Sequence, residues 1–291
     1  DLVNNLILIA RQVSSDSFFP VLEPGFAIGS ANEGWSPYEE NIIYQVLVPL
    51  APPSGHTFLL ELCNPGEMPE RNFRVRVELE CTCVTEQLVG DMLCFLHHAE
   101  EELRRNQGPS LLHTLCTGSY LDVQKTACRF HQLVKACWVV LPYSHQWRLT
   151  MLPCSRSCKF KVARAEEEIN IEIVFGVQQG DSDIFVSSQA SEAIFTPSTT
   201  WTLSCAWAEA KFFELTARQA PDDSFHLRCL QLCACLLVGT DFSSYTLKTV
   251  VMHLLTTIPL SGWCRTHFLL RMGDIMRYLC RCLEEKLLDH F

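Results

Sequence analysis

The sequence predicts an α+β fold in which a mixed sheet with flanking helices is followed by a helical part. Apolar and polar residues alternate from Phe73 to Cys81, which is the period of a half-buried strand. After Pro197, apolar residues recur at the spacing of an amphipathic helix instead. We therefore expect an α+β lobe over residues 1–197 and a helical lobe over residues 198–291, with a soft border.

The individual elements follow from the same two periods. Leu2–Val13 is predicted as an amphipathic helix because Leu2, Leu6, Ile9 and Val13 share one face. The predicted strands are Ile42–Val48, Thr57–Leu62, Phe73–Cys83, Cys158–Ala163, Ile169–Gln178 and Ile184–Ser187. The other predicted helices are Glu86–Leu96, Tyr120–Val140, Trp201–Gln219, Ser224–Leu237, Ser244–Thr257 and Gly262–Lys286.

Composition limits the class of protein and its partners. The chain has 291 residues, of which 48% are hydrophobic, so it can bury one large core or two ordinary ones. Its net charge is −10 and it has no long Lys/Arg run, so we expect no nucleic-acid partner. No apolar stretch is long enough to span a membrane. The chain begins within a predicted helix, and we expect it to be a segment of a longer protein.

The 16 cysteines are scattered through core-like segments. Free cysteine behaves as a small apolar residue, and a chain of this size needs no disulfide framework. We expect most of them to be buried, reduced thiols in a cytosol-facing domain. An oxidised extracellular domain is the alternative that the cysteine count leaves open.

One group of cysteines and histidines has a spacing that zinc could use. Cys81 and Cys83 are followed by Cys94, His97 and His98. A Cys-x-Cys pair is not the usual zinc knuckle, and buried thiols beside a helix-end histidine pair explain the pattern without an ion. We therefore predict no metal and no cofactor for this chain.

A Gly-Ser pair precedes the first predicted strand. Gly29 and Ser30 lie where a nucleotidyltransferase holds a triphosphate with backbone N–H groups and a serine hydroxyl. Such an enzyme also needs acids alternating on the next strand to hold two metal ions. Tyr44, Gln45 and Val46 stand there instead. The pattern suggests a relic phosphate loop on a scaffold without catalytic residues. The alternative is an ordinary turn, in which Gly-Ser pairs are more common.

Four glutamates and one lysine remain as candidates around that loop. Glu39 and Glu40 are adjacent, so they point to opposite faces of a strand and cannot restore the alternation. Glu78 or Glu80 is the candidate for a third acid on a later strand. Lys248, on a predicted helix, is the candidate base facing a phosphate in a cleft; the alternative is a solvated helix flank.

Several segments together resemble a known family. Ser244-Tyr245-Thr246-Leu247-Lys248-Thr249, followed by His253-Leu254-Leu255, resembles the second domain of Mab-21 family proteins. The Gly-Ser loop with its strand resembles their first domain. Further segments resemble the inositol 1,4,5-trisphosphate receptor-interacting protein family, with the like-1 branch fitting best: Gly34-Trp35, residues 48–53, 88–98, 115–123 and 287–291.

The resemblance implies a bilobal nucleotidyltransferase-like fold of the Mab-21 type, related to cyclic GMP-AMP synthase. It also implies a single-pass membrane protein whose spanning segment is absent from this chain, and a protein partner that is a receptor or a channel. We expect a non-catalytic signalling regulator, because the strand after Gly29 and Ser30 lacks the acids that would bind two metal ions. The alternative is a metal-dependent nucleotidyltransferase with atypical ligands.

Overall fold

The computed structural model describes residues 1–14, 17–37, 42–63, 71–84, 92–189, 196–239, 244–285 and 288. The chain divides into two compact units. The first comprises Asp1–Ala27 and Ile43–Ala208, and the second comprises Ile28–Ile42 and Glu209–Phe291. Each unit has a hydrophobic core of its own.

The strands belong to one mixed sheet. Their bounds are β1 Val21–Leu22, β2 Phe26–Ile28, β3 Ile43–Ala51, β4 His56–Leu62, β5 Asn72–Leu79, β6 Cys116–Thr117, β7 Tyr120–Leu121, β8 Arg148–Leu152, β9 Cys158–Arg164, β10 Glu167–Gln178, β11 Phe185–Ser187 and β12 Thr200–Ser204. The order is β1-β3-β10-β11-β12-β5-β7-β6, with β2 beside β3, β4 beside β5, and β9 between β10 and β8.

The two longest apolar strands run side by side. β3 and β10 pair in parallel from Ile43↔Asn170 to Pro49↔Gly176. The antiparallel pairs are β1–β3, β10–β11, β9–β10, β11–β12, β5–β12, β4–β5, β5–β7, β6–β7 and β8–β9. β10 is rich in Ile, Val and Phe, and its residues 171–177 are all buried. A strand buried on both faces reads as a continuous apolar run, so an acid within it is unusual.

The helices are distributed over both units. Their bounds are α1 Leu2–Val13, α2 Gly29–Glu33, α3 Glu100–Asn106, α4 Leu111–Thr114, α5 Val123–Trp138, α6 Ala206–Gln219, α7 His226–Leu237, α8 Ser244–Thr257 and α9 Phe268–Glu285, with 3₁₀ turns at Pro142–His145, Leu260–Trp263 and Arg265–His267. In the first unit α1 packs against α5, and both contribute to the core over the sheet. In the second unit, buried residues of α7, α8 and α9 surround Trp263.

The structure confirms the α+β class and the bounds of Leu2–Val13 and Ser244–Thr257. The prediction of helix at Trp201–Ser204 is wrong, because these residues form β12 in the sheet. The predicted border after residue 197 therefore falls just before a strand of the first unit. The strand at Phe73 ends at Leu79 rather than at Cys83.

The predicted helix Glu86–Leu96 fails where it can be checked. Residues 86–91 lie outside the described residues, and residues 92–96 form irregular chain and a turn. Among the described residues of this segment, an apolar side chain anchors the turn. Phe95 packs its ring against those of Phe18 and His56, with centroids 4.6 and 5.2 Å away.

Candidate functional site

The strand that follows the Gly-Ser pair carries an amide, Gln45, at the position where the resemblance to a nucleotidyltransferase predicts an acid. Gln45 on β3 stands opposite Glu172 on β10 in the parallel register. Its Nε2 donates a hydrogen bond to Glu172 Oε2 at 3.0 Å. Tyr44 is exposed and Val46 contributes to the core. Within β3, no carboxylate is available to bind a hard cation.

Glu172 is a buried acid that sequence reasoning missed. It is 6% exposed. Its Oε1 accepts a hydrogen bond from Ser157 Oγ at 2.7 Å and lies 3.3 Å from Lys159 Nζ. With Gln45 on Oε2, the carboxylate has three donors, which is the compensation that a buried charge requires. The signal in the sequence was the single acid within Ile171-Glu172-Ile173-Val174.

The structure does not bring Glu78 or Glu80 to Gln45. Glu78 lies on β5 and pairs with Arg76 beside it, while Glu80 is exposed just beyond the end of that strand. In the sheet order β10, β11 and β12 stand between β3 and β5. This is four strand spacings of about 4.8 Å each along the sheet. The neighbouring acid is Glu172 instead.

The Gly-Ser pair lies at the start of a helix rather than in a loop. Gly29 has a φ of 82°, a backbone conformation that favours glycine, and it begins the short α2. The carbonyl of Ser30 accepts a hydrogen bond from Trp35 N–H at 3.0 Å, which closes the turn after α2. Glu39 and Glu40 lie outside the described residues. Phosphate binding at Gly29 and Ser30 stays a prediction.

Lys248 is buried in the second unit between two carboxylates. Its Nζ lies 2.6 Å from Glu33 Oε1 and 2.7 Å from Glu209 Oε2, and 5.5 Å from the centroid of the Phe213 ring. The three charged side chains are 7%, 2% and 13% exposed. The solvated-flank alternative is therefore wrong. A phosphate at Lys248 would compete with both acids, and its binding there stays a prediction.

In the first unit, three cysteines and one histidine of the candidate zinc group lie together. One ligand atom from each of Cys81, Cys83, Cys94 and His97 can be chosen so that all four lie within 4.8 Å of one another. His97 Nδ1 is 3.0 Å from Cys83 Sγ, 3.4 Å from Cys94 Sγ and 3.6 Å from Cys81 Sγ. His98 lies apart and contacts Glu102 at 3.1 Å.

The thiols of this cluster do not share one buried environment. Cys94 is buried, Cys83 is half-buried, and Cys81 and His97 are exposed. Burial raises the pKa of Cys94, but hydrogen bonds from the Thr82 and Leu96 backbone and from side chains outweigh it and lower the pKa to about 6. The hydrogen bond with Cys81, then burial and Cys94, raise the pKa of Cys83 to about 12. The explanation by buried thiols alone is therefore wrong for Cys81 and Cys83.

The second unit also has an exposed apolar stripe on α9. Leu269, Met276 and Leu283 follow one another at seven-residue intervals and so share one face of the helix. They are 81%, 40% and 59% exposed. Gly273 and Cys280 lie between them on the same face and are also exposed. We call these five residues the α9 stripe.

These features define an α+β protein with a mixed-sheet unit and a helical unit, in which β3 lacks the acids of a two-metal enzyme. No protein-family model matches the chain. Inositol 1,4,5-trisphosphate receptor-interacting protein-like 1 of Rattus norvegicus is 35% identical over 300 residues, which cover 99% of this chain and 55% of the relative. The Mus musculus protein of the same name matches with the same figures.

Relatives whose name lacks the designation like-1 have a lower identity to the chain. Inositol 1,4,5-trisphosphate receptor-interacting protein of Mus musculus is 27% identical over 322 residues, covering 99% of this chain and 57% of the relative. The predicted resemblance of the chain to the inositol 1,4,5-trisphosphate receptor-interacting protein family, and to its like-1 branch, is confirmed. The chain spans about half the length of the curated relatives it matches. Among the described residues, no helix is both long and apolar enough to cross a membrane.

Proposed function

We propose that this chain is a non-catalytic regulatory domain that binds a receptor or channel of the inositol 1,4,5-trisphosphate receptor kind. The observation that carries the proposal is homology over 99% of the chain to proteins named for interacting with that receptor. None of those names gives an enzymatic activity. We also propose that the domain has a Mab-21-type nucleotidyltransferase-like fold and belongs to a single-pass membrane protein.

The chemistry of β3 supports a non-catalytic role. Two-metal phosphoryl transfer needs carboxylates that neutralise and bridge two cations. Gln45 supplies a neutral amide, and its N–H donates to the neighbouring acid Glu172. That acid is already balanced by Ser157 and Lys159. Because Gln45, Ser157 and Lys159 already pair with Glu172, its carboxylate stabilises the interior of the sheet and has little negative charge left to attract a metal ion.

The α9 stripe is the surface that we propose for the partner. Exposed leucines and methionine on one helix face supply the apolar centre that protein interfaces need. The test measures binding of the 291-residue chain to purified inositol 1,4,5-trisphosphate receptor in lipid nanodiscs. We expect Leu269→Glu/Leu283→Glu to weaken binding at least about tenfold, because two charges would enter a desolvated centre.

A matched double variant separates this effect from a general loss of exposed apolar surface. Leu215 and Leu236 are in the same unit on α6 and α7, and are 53% and 69% exposed. Leu215→Glu/Leu236→Glu should bind as the wild type does. Equal weakening by both doubles would reject the stripe, and no binding by the wild type would reject the partner class.

The alternative function is a metal-dependent nucleotidyltransferase with atypical ligands. The observation that favours it is the buried Glu172 beside Gln45, since a strand next to β3 is where a third acid would stand. We expect the chain to convert neither ATP nor GTP with Mg²⁺ or Mn²⁺. Turnover that Glu172→Gln abolishes and Glu78→Gln leaves intact would establish the alternative instead.

A further inference from the structure

The Cys81, Cys83, Cys94 and His97 cluster has the dimensions of a tetrahedral metal site. Zinc binds thiolate sulfur at about 2.3 Å and imidazole nitrogen at about 2.0–2.1 Å, which places sulfur and nitrogen about 3.6 Å apart across a tetrahedron. The three distances from His97 Nδ1 to the sulfurs are 3.0, 3.4 and 3.6 Å. With all four ligand atoms within 4.8 Å of one another, the spacing is close to that of the ligands of one ion.

Local structure holds the two halves of this cluster. Cys81 and Cys83 follow the end of β5. Cys94 and His97 belong to one turn, in which His97 N–H donates to the Cys94 carbonyl at 3.2 Å. Thr82 N–H donates to Cys94 Sγ at 3.4 Å, so the backbone of the first pair also supports a thiolate of the second.

The segment that carries Cys94 is fixed on both sides. The Gln107 side chain accepts a hydrogen bond from Leu93 N–H at 2.9 Å and donates one to the Leu93 carbonyl at 3.1 Å. On the other side Phe95 packs against Phe18 and His56. Ligands whose neighbours are locked by packing and hydrogen bonds are preorganised for a metal.

We propose that Cys81, Cys83, Cys94 and His97 bind one structural zinc ion that joins the end of β5 to the turn before α3. Three thiolates and one imidazole are the soft donors that select zinc over Mg²⁺ or Ca²⁺. Four protein ligands leave no open position, so the ion serves the fold. Zinc takes all three cysteines as thiolates, so binding releases to solvent the protons that remain on them, and no electron is transferred. This site is independent of the proposed receptor binding.

The first measurement is the metal content of the chain. The 291-residue chain is expressed in zinc-supplemented medium, freed of any tag and analysed by elemental mass spectrometry. We expect one zinc per chain. After chelation and reduction, added Co²⁺ should give the visible absorption of tetrahedral cobalt together with thiolate-to-metal charge transfer.

The variants remove exposed ligands, so that the core is left intact. Cys81→Ser and His97→Gln should each lower zinc affinity, measured against a chromophoric chelator, by more than the roughly 10–100-fold of an outer-shell change. Cys128→Ser is the matched control, because Cys128 is an exposed cysteine on α5 outside the cluster. It should bind zinc as the wild type does.

A stability readout distinguishes a built site from chance binding to thiols. Chelation should lower the thermal midpoint of the wild type and of Cys128→Ser, and leave those of Cys81→Ser and His97→Gln unchanged. The proposal is overturned if the reduced wild type binds neither zinc nor cobalt. It is equally overturned if both ligand variants keep wild-type affinity.

Discussion

Asp122 shows how much a single buried side chain organises in the first unit. It is 3% exposed and caps α5, accepting hydrogen bonds from the N–H groups of Gln124 and Lys125 at 2.9 and 3.0 Å. It also accepts hydrogen bonds from the hydroxyls of Thr117 and Ser198, each at 2.7 Å. One carboxylate thus joins a helix N-terminus, a hairpin and the segment before β12.

Asp122→Asn should destabilise the chain most at neutral pH. Burial raises the pKa of Asp122, but the hydrogen bonds from Ser198, Lys125 and Thr117 outweigh it and hold the pKa below its ordinary value. The carboxylate therefore stabilises the fold above the ordinary aspartate pKa of about 3.9, and this contribution is lost as the pH falls through the folded value. We expect a loss of about 1–3 kcal/mol at neutral pH.

Urea unfolding of Asp122→Asn and the wild type over a pH series measures this difference. The gap between the two free energies of unfolding should narrow below the ordinary aspartate pKa. Glu100→Gln, at an exposed surface pair, is the control and should change little. A gap that widens on acidification would contradict the assignment.

Lys248 is the corresponding residue of the second unit. Lys248→Met leaves Glu33 and Glu209 as buried carboxylates without a cation, and breaking such a network costs about 3–5 kcal/mol. Native-state hydrogen exchange of amides in α8 reports the loss locally. Adding Glu33→Gln should recover part of it, because one of the stranded charges is removed. A change within about 0.5 kcal/mol would show that the network is not stabilising.

At the residue scale, the sequence alone shows that β3 contains no acid. It does not show which residues distant in the sequence contact one another in the fold. The sequence alone shows that position 45 has a neutral amide side chain. That its neighbour is Glu172 follows from the parallel β3–β10 register, which joins residues 127 positions apart. Likewise, the Cys-x-Cys spacing alone is only a weak indication of a metal site. In the structure, the turn at Cys94 places His97 beside the thiols.

At the scale of elements, strongly periodic segments were predictable, whereas most short strands were not, β11 at Phe185–Ser187 being an exception. The alternation in β5 and the amphipathic faces of α1 and α8 reflect burial on one side, which the sequence records directly. β12 was predicted as helix, although Thr200, Trp201 and Thr202 are good strand formers. Its place between β11 and β5 depends on pairing with strands far away in sequence.

Trp201 is the residue through which β12 secures the sheet. It is completely buried, and its Nε1 donates to the Leu121 carbonyl at 3.0 Å. Trp201→Ala should cost about 3–5 kcal/mol of unfolding free energy, because it leaves a large cavity and an unpaired carbonyl. Trp201→Phe keeps most of the volume and should cost less. Urea unfolding measures the free energy of unfolding of both variants. Equal losses of this free energy in Trp201→Ala and Trp201→Phe would contradict the proposed role of the packing.

At the scale of the whole molecule, composition overstated the burial of the thiols. Only seven of the 16 cysteines are buried. Five of the buried cysteines lie in the cores of the two units, as small apolar residues do, while Cys63 and Cys94 are buried outside those cores. The others lie on helix surfaces, in the Cys/His cluster or, for Cys154, Cys205 and Cys264, between the named helices and strands. Hydrophobicity alone does not distinguish these positions.

Alkylation should therefore divide the cysteines into two kinetic classes. Thiolate is the reactive form, and burial raises the pKa of Cys229 to about 12 and of Cys233 to about 11. In native protein at mildly alkaline pH we expect exposed Cys128 and Cys280 to react with iodoacetamide first. Cys229 and Cys233 should react only after denaturation, which peptide mass spectrometry can follow. Disulfide-linked peptides in a sample prepared without reductant would contradict this and favour an oxidised, extracellular domain.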